Sequence, residues 1–108
     1  MKEFTYREKN IQEIKILLGQ NKLENHELLN QQKNYWWFHA KYVPSGHAIV
    51  LSETLTPELI KFVAMQVKLN CKEKNNPNAK IEYTKLKNLK IVGIGIVELL
   101  CNPKTITL

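Results

Sequence analysis

Two segments of the chain interleave aromatic rings with lysines, and this combination could bind nucleic acid. The first segment contains Trp36, Trp37, Phe38, His39, Lys41 and Tyr42. The second segment contains Tyr83, Lys85, Lys87 and Lys90. Aromatic rings can stack on unpaired bases while lysine ammonium groups hold phosphates, so the pattern predicts contacts to single-stranded or looped RNA.

The same rings could instead form part of a hydrophobic core. In a β-strand, alternation places Trp37 and His39 on one face and Trp36, Phe38 and Ala40 on the other. One of the two faces must pack inward, so only some of these rings can contact a ligand. Aromatic clusters more often pack than bind, and both interpretations stay open at this point.

The three histidines, His26, His39 and His47, could support metal binding or acid–base chemistry. No two of them are four residues apart, and neither cysteine accompanies them at the spacing of a zinc site. We therefore predict that no metal is bound. His39 and His47 flank a turn at Pro44 and could meet across a hairpin, either as hydrogen-bonded sheet histidines or as ligand contacts.

The sequence contains no recognisable cofactor site or catalytic group. Gly93-Ile94-Gly95 lacks the third glycine and the strand-then-helix setting of a dinucleotide-binding loop, so it predicts a bend between strands. Serine, histidine and acidic residues cannot be combined into a nucleophilic site without arbitrary choices. We expect a protein with no cofactor and no catalytic residues, and an RNA-modifying enzyme is the weakest hypothesis.

Charge and composition favour an anionic partner. The 108 residues include 16 Lys and Arg against 10 Asp and Glu, a formal net charge of +6, which suits RNA, DNA, the ribosome or acidic lipid. Because Arg7 is the only arginine, we expect phosphate contacts and weak sequence specificity. The sequence has neither an apolar leader nor a run of about 20 apolar residues, which predicts a cytoplasmic protein without a membrane partner.

One helix has clear signals at its start. Thr56 suits the N-cap, Pro57 the first helical position and Glu58 the positive end of the helix dipole, and the helix is predicted to extend to about Glu73. Its apolar stripe comprises Ile60, Val63, Ala64, Val67 and Cys71. A separate basic edge comprises Lys61, Lys68 and Lys72.

The remaining segments predict strands and one short helix. Strands are expected at 10–19, 35–43, 47–51, 80–84, 94–100 and 105–108, although the first could also be a helix. Pro44-Ser45-Gly46 is the turn of a hairpin, and Asn25 is the predicted cap of a helix over 27–32. The result is a single α+β domain over 1–108, with a mostly antiparallel sheet packed against one long helix and a second short helix.

Several motifs match one known family in order and spacing. Segment 18–29 has that family's glycine, its asparagine and its E-N-x-x-L motif. Trp37-Phe38-His39 and Pro44-Ser45-Gly46-His47 match its W-F-H and P-x-x-H hairpin, and Tyr83-Thr84-Lys85 matches its Y-T motif. Over nearly its whole length, the chain resembles the NFACT-R domain of ribosome quality-control factors, here in a stand-alone form.

The resemblance implies RNA binding, with tRNA or ribosomal RNA as the ligand and the large ribosomal subunit as a candidate partner. It does not imply the tail-elongating activity of the full-length factors, whose other segments have no counterpart within these 108 residues. It marks a hairpin surface that comprises Asn21, Lys22, Asn25, Trp37, His39, Ser45 and His47. The accompanying phosphate contacts are Lys41, Lys85, Lys87 and Lys90. The competing hypothesis is a protein-interaction module that docks to the ribosome or to a partner protein.

Overall fold

The main element of the fold is an antiparallel β-sheet with helices on both faces, as described for residues 1–8 and 13–108 by a computed structural model. The strands are β1 (Lys2–Arg7), β2 (Glu13–Leu18), β3 (Trp36–Ala40), β4 (Ala48–Val50), β5 (Lys80–Lys85), β6 (Leu89–Gly93), β7 (Ile96–Leu99) and β8 (Lys104–Thr107). The helices are α1 (Lys22–Leu28) and α2 (Pro57–Leu69), with a short 3₁₀ turn at Leu86–Asn88.

Six strands form the large sheet in the order β1-β2-β4-β3-β5-β8, and all neighbouring pairs are antiparallel. β3 lies near the centre, where Trp37 pairs with Ile49 on one side and Thr84 on the other. β6 and β7 pair with each other as a separate two-stranded sheet. The predicted strands at 35–43, 47–51, 80–84, 94–100 and 105–108 correspond to β3, β4, β5, β7 and β8.

α2 covers the first face of the sheet. Its start agrees with the cap signals, because the Thr56 hydroxyl accepts a hydrogen bond from the Leu59 amide at 3.2 Å. Val63 and Val67 are buried against the sheet residue Phe38. The helix has 13 residues and ends at Leu69, earlier than the predicted Glu73. It ends there because Asn70 leaves helical geometry and its side-chain amide donates back to the Gln66 carbonyl at 2.7 Å.

α1 and the β6–β7 hairpin cover the second face. The apolar cluster on this side comprises Leu28, Leu29, Trp37, Ile49 and Leu86. Leu89, Val97 and Leu99 of the hairpin pack against it. Both faces of β3 are therefore buried: Phe38 lies in the first cluster and Trp37 in the second.

The α+β class with a mostly antiparallel sheet and two helices is as predicted, but α2 is shorter than the long helix expected, and the bounds and cap of the short helix are wrong. The short helix begins at Lys22 and is capped by Asn21, whose side chain accepts from the Glu24 amide, so Asn25 is not a cap. β1 and β6 were not expected, although Phe4 and Tyr6 alternate along β1 and pack against the core. The strand predicted at 10–19 corresponds to β2, and its residues 10–12 lie outside the described residues. Within the described ranges, neither helix combines the length and apolarity needed to cross a membrane.

Candidate nucleic-acid interface

A cavity of about 560 Å³ lies at one end of the sheet, where β2 and β3 end and β4 begins. Its walls come from the β3–β4 turn, the start of α1 and the tip of the β6–β7 hairpin. All members of the predicted hairpin surface except Trp37 line it: Asn21, Lys22, Asn25, His39, Ser45 and His47. Residues that are far apart in the sequence therefore converge on this larger cavity.

Asn25 ties α1 to the β3–β4 hairpin. Its side-chain oxygen accepts a hydrogen bond from the His47 backbone amide at 3.0 Å. The His47 carbonyl in turn accepts from the Gly19 amide at 3.0 Å, which extends the pairing of β2 with β4. Asn25 therefore positions the β3–β4 hairpin against α1 while it lines the cavity.

The β3–β4 turn depends on a serine and a glycine. The Ser45 hydroxyl accepts from the Ala40 amide at 3.0 Å and donates to the Gly46 carbonyl at 3.1 Å. A Cβ atom on Gly46 would lie 2.0 Å from the Gly19 carbonyl oxygen, so a larger residue does not fit without moving the backbone. This close contact brings the turn against the end of β2.

The rings of Trp37, His39 and His47 pack on one another beside the cavity. His39 stacks on Trp37 with 5.5 Å between ring centroids and an interplanar angle of 6°. His47 is nearly perpendicular to both, at 5.6 Å from Trp37 and 5.3 Å from His39. The expected meeting of the two histidines across the hairpin is confirmed. Trp37 is only 2% exposed, so its ring supports the histidines and cannot stack on a base from solvent.

Burial keeps this histidine pair neutral. It lowers the pKa of His47 to about 4, and the neighbouring His39 adds to the effect. Burial also lowers the pKa of His39 below its usual 6.5, opposed by a hydrogen bond with the Ala40 backbone. Glu82 lies directly opposite His39 on β5, and burial raises the pKa of its carboxyl group while Lys41 opposes that rise.

A smaller cavity of about 290 Å³ adjoins the first and shares His39, His47, Gly95 and Ile96 with it. Trp37 and Glu82 also line it. Two nitrogen atoms in this group, Trp37 Nε1 and His47 Nδ1, are buried and have no hydrogen-bond partner among the described residues. Sequence reasoning missed Glu82 and Ile96, because both reach the site through strand pairing and hairpin packing between distant segments.

The tip of the β6–β7 hairpin closes one side of both cavities. The Gly95 amide donates a hydrogen bond to His26 Nδ1 at 3.0 Å. Gly95 has φ of 68°, and a Cβ there would lie 2.8 Å from the Lys22 carbonyl oxygen. The glycine was expected to mark a bend, and it also allows the hairpin to approach α1 closely.

The predicted phosphate contacts are divided between two regions. Lys41 directly follows β3 at the cavity end of the sheet, whereas Lys85 pairs with Trp36 at the opposite end, about 16 Å away along the strand. The ammonium groups of Lys85 and Lys104 lie 5.6 and 5.8 Å from the Trp36 ring centroid. Lys104, which sequence reasoning missed, reaches this second basic surface through the pairing of β8 with β5.

Lys87 and Lys90 are exposed and lie apart from both cavities. Lys87 belongs to the 3₁₀ turn after β5, and Lys90 lies on β6 opposite Glu98. Lys85, Lys87 and Lys90 therefore lie in a region separate from the two cavities. Among the residues that the structure describes, no three His, Cys, Asp or Glu side chains form a group suited to a metal ion.

No family model matches this chain, and a search of curated proteins finds no match. Among solved structures, the chain is similar to the C-terminal part of the fibronectin/fibrinogen-binding protein from Streptococcus suis, with a TM-score of 0.81 and 25% sequence identity. The match covers 87% of this chain and 40% of that chain. This protein thus spans less than half the length of that solved chain.

Proposed function

We propose that this chain is an RNA-binding module without catalytic activity of its own, and that it binds tRNA or ribosomal RNA in the cytoplasm. The observation that carries the proposal is the convergence on one cavity of the hairpin-surface residues that the resemblance to NFACT-R domains marks. That resemblance also supports a role in translation or ribosome quality control, with the large ribosomal subunit as a candidate partner.

The electrostatics support an anionic ligand. The net charge is +6. The lysines marked as contacts are Lys22, Lys41, Lys85, Lys87 and Lys90. Within the described residues, none of them forms an ion pair, so their ammonium groups are available to phosphates. Because the cavity and the Lys85 region lie at opposite ends of β3, a folded RNA or a loop that spans both ends suits them better than a short strand.

A salt titration tests the proposal. Binding of fluorescently labelled tRNA would be followed by anisotropy between about 50 and 200 mM salt, and the logarithm of affinity should fall linearly with the logarithm of salt concentration. The triple variant Lys85→Glu, Lys87→Glu, Lys90→Glu should bind every RNA more weakly, with the slope reduced by roughly one for each lysine.

The control variant changes the same number of charges elsewhere. The control replaces the three lysines of the basic edge by glutamate. Two of them, Lys61 and Lys68, lie in α2 on the first face of the sheet, and Lys72 lies just after it. The salt slope of this variant should differ from that of the parent only through its lower net charge, because the proposed phosphate contacts are all retained. Equal weakening by both triple variants would contradict the assignment of the binding surface, and unchanged affinity in a folded Lys85, Lys87 and Lys90 variant would do so as well.

A protein-interaction module is the second candidate function. Four apolar residues at the tip of the β6–β7 hairpin each have an exposed fraction between 43% and 53%: Ile91, Val92, Ile94 and Ile96. The similar solved structure comes from a protein described as binding fibronectin and fibrinogen. An apolar docking surface would depend little on salt. Salt-insensitive binding to ribosomal subunits that is lost in Ile94→Ser would favour this candidate over RNA binding.

A further inference from the structure

Two buried nitrogen atoms mark the smaller cavity as a ligand site. Trp37 is 2% exposed and His47 is 4% exposed, yet Trp37 Nε1 and His47 Nδ1 have no hydrogen-bond partner among the described residues. Buried polar atoms in folded proteins nearly always have partners. Both residues line the smaller cavity, so a ligand there could supply the missing hydrogen bonds.

The walls of the cavity specify the chemistry of that ligand. A tryptophan N–H can only donate a hydrogen bond, and an ionised Glu82 carboxylate can only accept one. A ligand that bonds to both groups presents an acceptor to the indole N–H and a donor to the carboxylate. Nucleobases have such edges, whereas a phosphate offers acceptors only and an aliphatic group offers neither.

Shape and size agree with a planar heterocycle. The cavity volume of about 290 Å³ is at the small end of ligand sites. The partly exposed His39 ring provides a flat wall, and Ile96 of the hairpin provides an apolar one. A flat ring between an imidazole and an aliphatic side chain is a common arrangement for an unstacked base.

We propose that the smaller cavity binds one unpaired nucleobase of the RNA, between His39 and the tip of the β6–β7 hairpin, with Trp37, His47 and Glu82 as its hydrogen-bond partners. The phosphate of that nucleotide lies in the larger cavity near Lys22, which is exposed there. This inference rests on the proposed function, because the base is part of a bound RNA.

The two tryptophans allow a direct test by NMR. Trp36 Nε1 already donates to the Glu53 carbonyl at 2.9 Å on the other face of the sheet, so its indole signal is an internal control. The ¹⁵N-labelled protein would be titrated with AMP, GMP, CMP and UMP, and with ribose 5-phosphate as the ligand without a base. At least one nucleotide should shift the Trp37 indole signal and leave Trp36 in place, and ribose 5-phosphate should move neither. A Trp37 signal that stays fixed, or that moves equally with ribose 5-phosphate, would overturn the inference.

A matched pair of variants tests the hydrogen bond itself. Trp37→Phe removes the unpartnered N–H and should weaken nucleotide binding roughly 2- to 10-fold. Trp36→Phe makes the same change on the opposite face and should leave the affinity unchanged. If Trp37→Phe does not fold, Glu82→Gln keeps the shape and converts an acceptor-only group into one that also donates. It should then change the order of affinity among the four nucleotides, and an unchanged order would contradict the role of Glu82.

The tRNA titration separates this inference from the proposed function. If tRNA binds with a steep salt dependence while the Trp37 signal stays fixed, the nucleobase site is refuted and the RNA-binding proposal stands. If nucleotides shift Trp37 but no RNA binds, the proposed function fails and RNA is refuted as the source of the base. A Trp37 shift with tRNA that matches the shift with the preferred nucleotide supports both.

Discussion

The buried His47 imidazole should make the folded state lose stability in mild acid. Its pKa is about 4 in the folded protein against a usual 6.5, so the folded state resists a proton that the unfolded chain accepts. The stabilisation from neutral His47 is complete above pH 6.5 and is lost as the pH falls toward 4. A gap of this size corresponds to about 3 kcal/mol in total, of which about 2 kcal/mol is lost by pH 5.

The substitution His47→Gln isolates this contribution. His39, whose pKa is also lowered, acts in the same direction. Glu82 acts in the opposite direction, because burial raises the pKa of its carboxyl group. The folded state loses stability as the pH rises through that raised pKa, and it regains this stability in acid. Both residues remain in the variant, so the difference in pH dependence between parent and variant reports on His47.

Urea unfolding followed by tryptophan fluorescence at pH 7.5, 6 and 5 measures the effect. The parent should lose about 2 kcal/mol more than His47→Gln between pH 7.5 and 5. The difference between the two proteins at pH 7.5 gives the packing cost of the substitution and does not enter the comparison. Equal losses in parent and variant would refute a depressed His47 pKa and the neutral histidine pair that depends on it.

Three further substitutions test the fold around the site. Val63→Asp should prevent folding or cost several kcal/mol, because it puts an unpaired carboxylate in the first core cluster; circular dichroism melting identical to the parent would show that the stripe is misassigned. Asn25→Ala should cost about 1–3 kcal/mol in urea unfolding, since it leaves the His47 amide without an acceptor. Gly46→Ala should destabilise by at least as much, because its Cβ would clash with the Gly19 carbonyl, and a stability equal to the parent would contradict the close approach.

Local chemistry explains which elements could be predicted from the sequence. Thr56 and Pro57 define the start of α2 through contacts within one helical turn, and such contacts depend only on neighbouring residues. Asn21 and Asn25 carry equivalent local cap signals, but Asn25 bonds to His47, which is 22 residues away. A contact at that distance is set by the tertiary fold, and so the wrong asparagine was predicted as the cap.

The site was predictable to the extent that motif spacing marks a shared turn. His39 and His47 flank Pro44-Ser45-Gly46, and a hairpin brings them together whatever lies elsewhere in the chain. The burial of Trp37 was not predictable in this way, because it depends on α1 and the β6–β7 hairpin covering the second face. Glu82 enters the site only through the pairing of β5 with β3, two strands that are separated by α2 in the sequence.

The separation of β6 and β7 from the large sheet has a consequence for time scales. The hairpin is attached through the packing of Leu89, Val97 and Leu99 and through the bond from Gly95 to His26, whereas β3 has a paired strand on each side. We expect the amide hydrogens of β6 and β7 to exchange with solvent through a local opening, at a lower free energy than those of β3. Such an opening would displace Gly95 and Ile96, which line both cavities, and leave the large sheet folded.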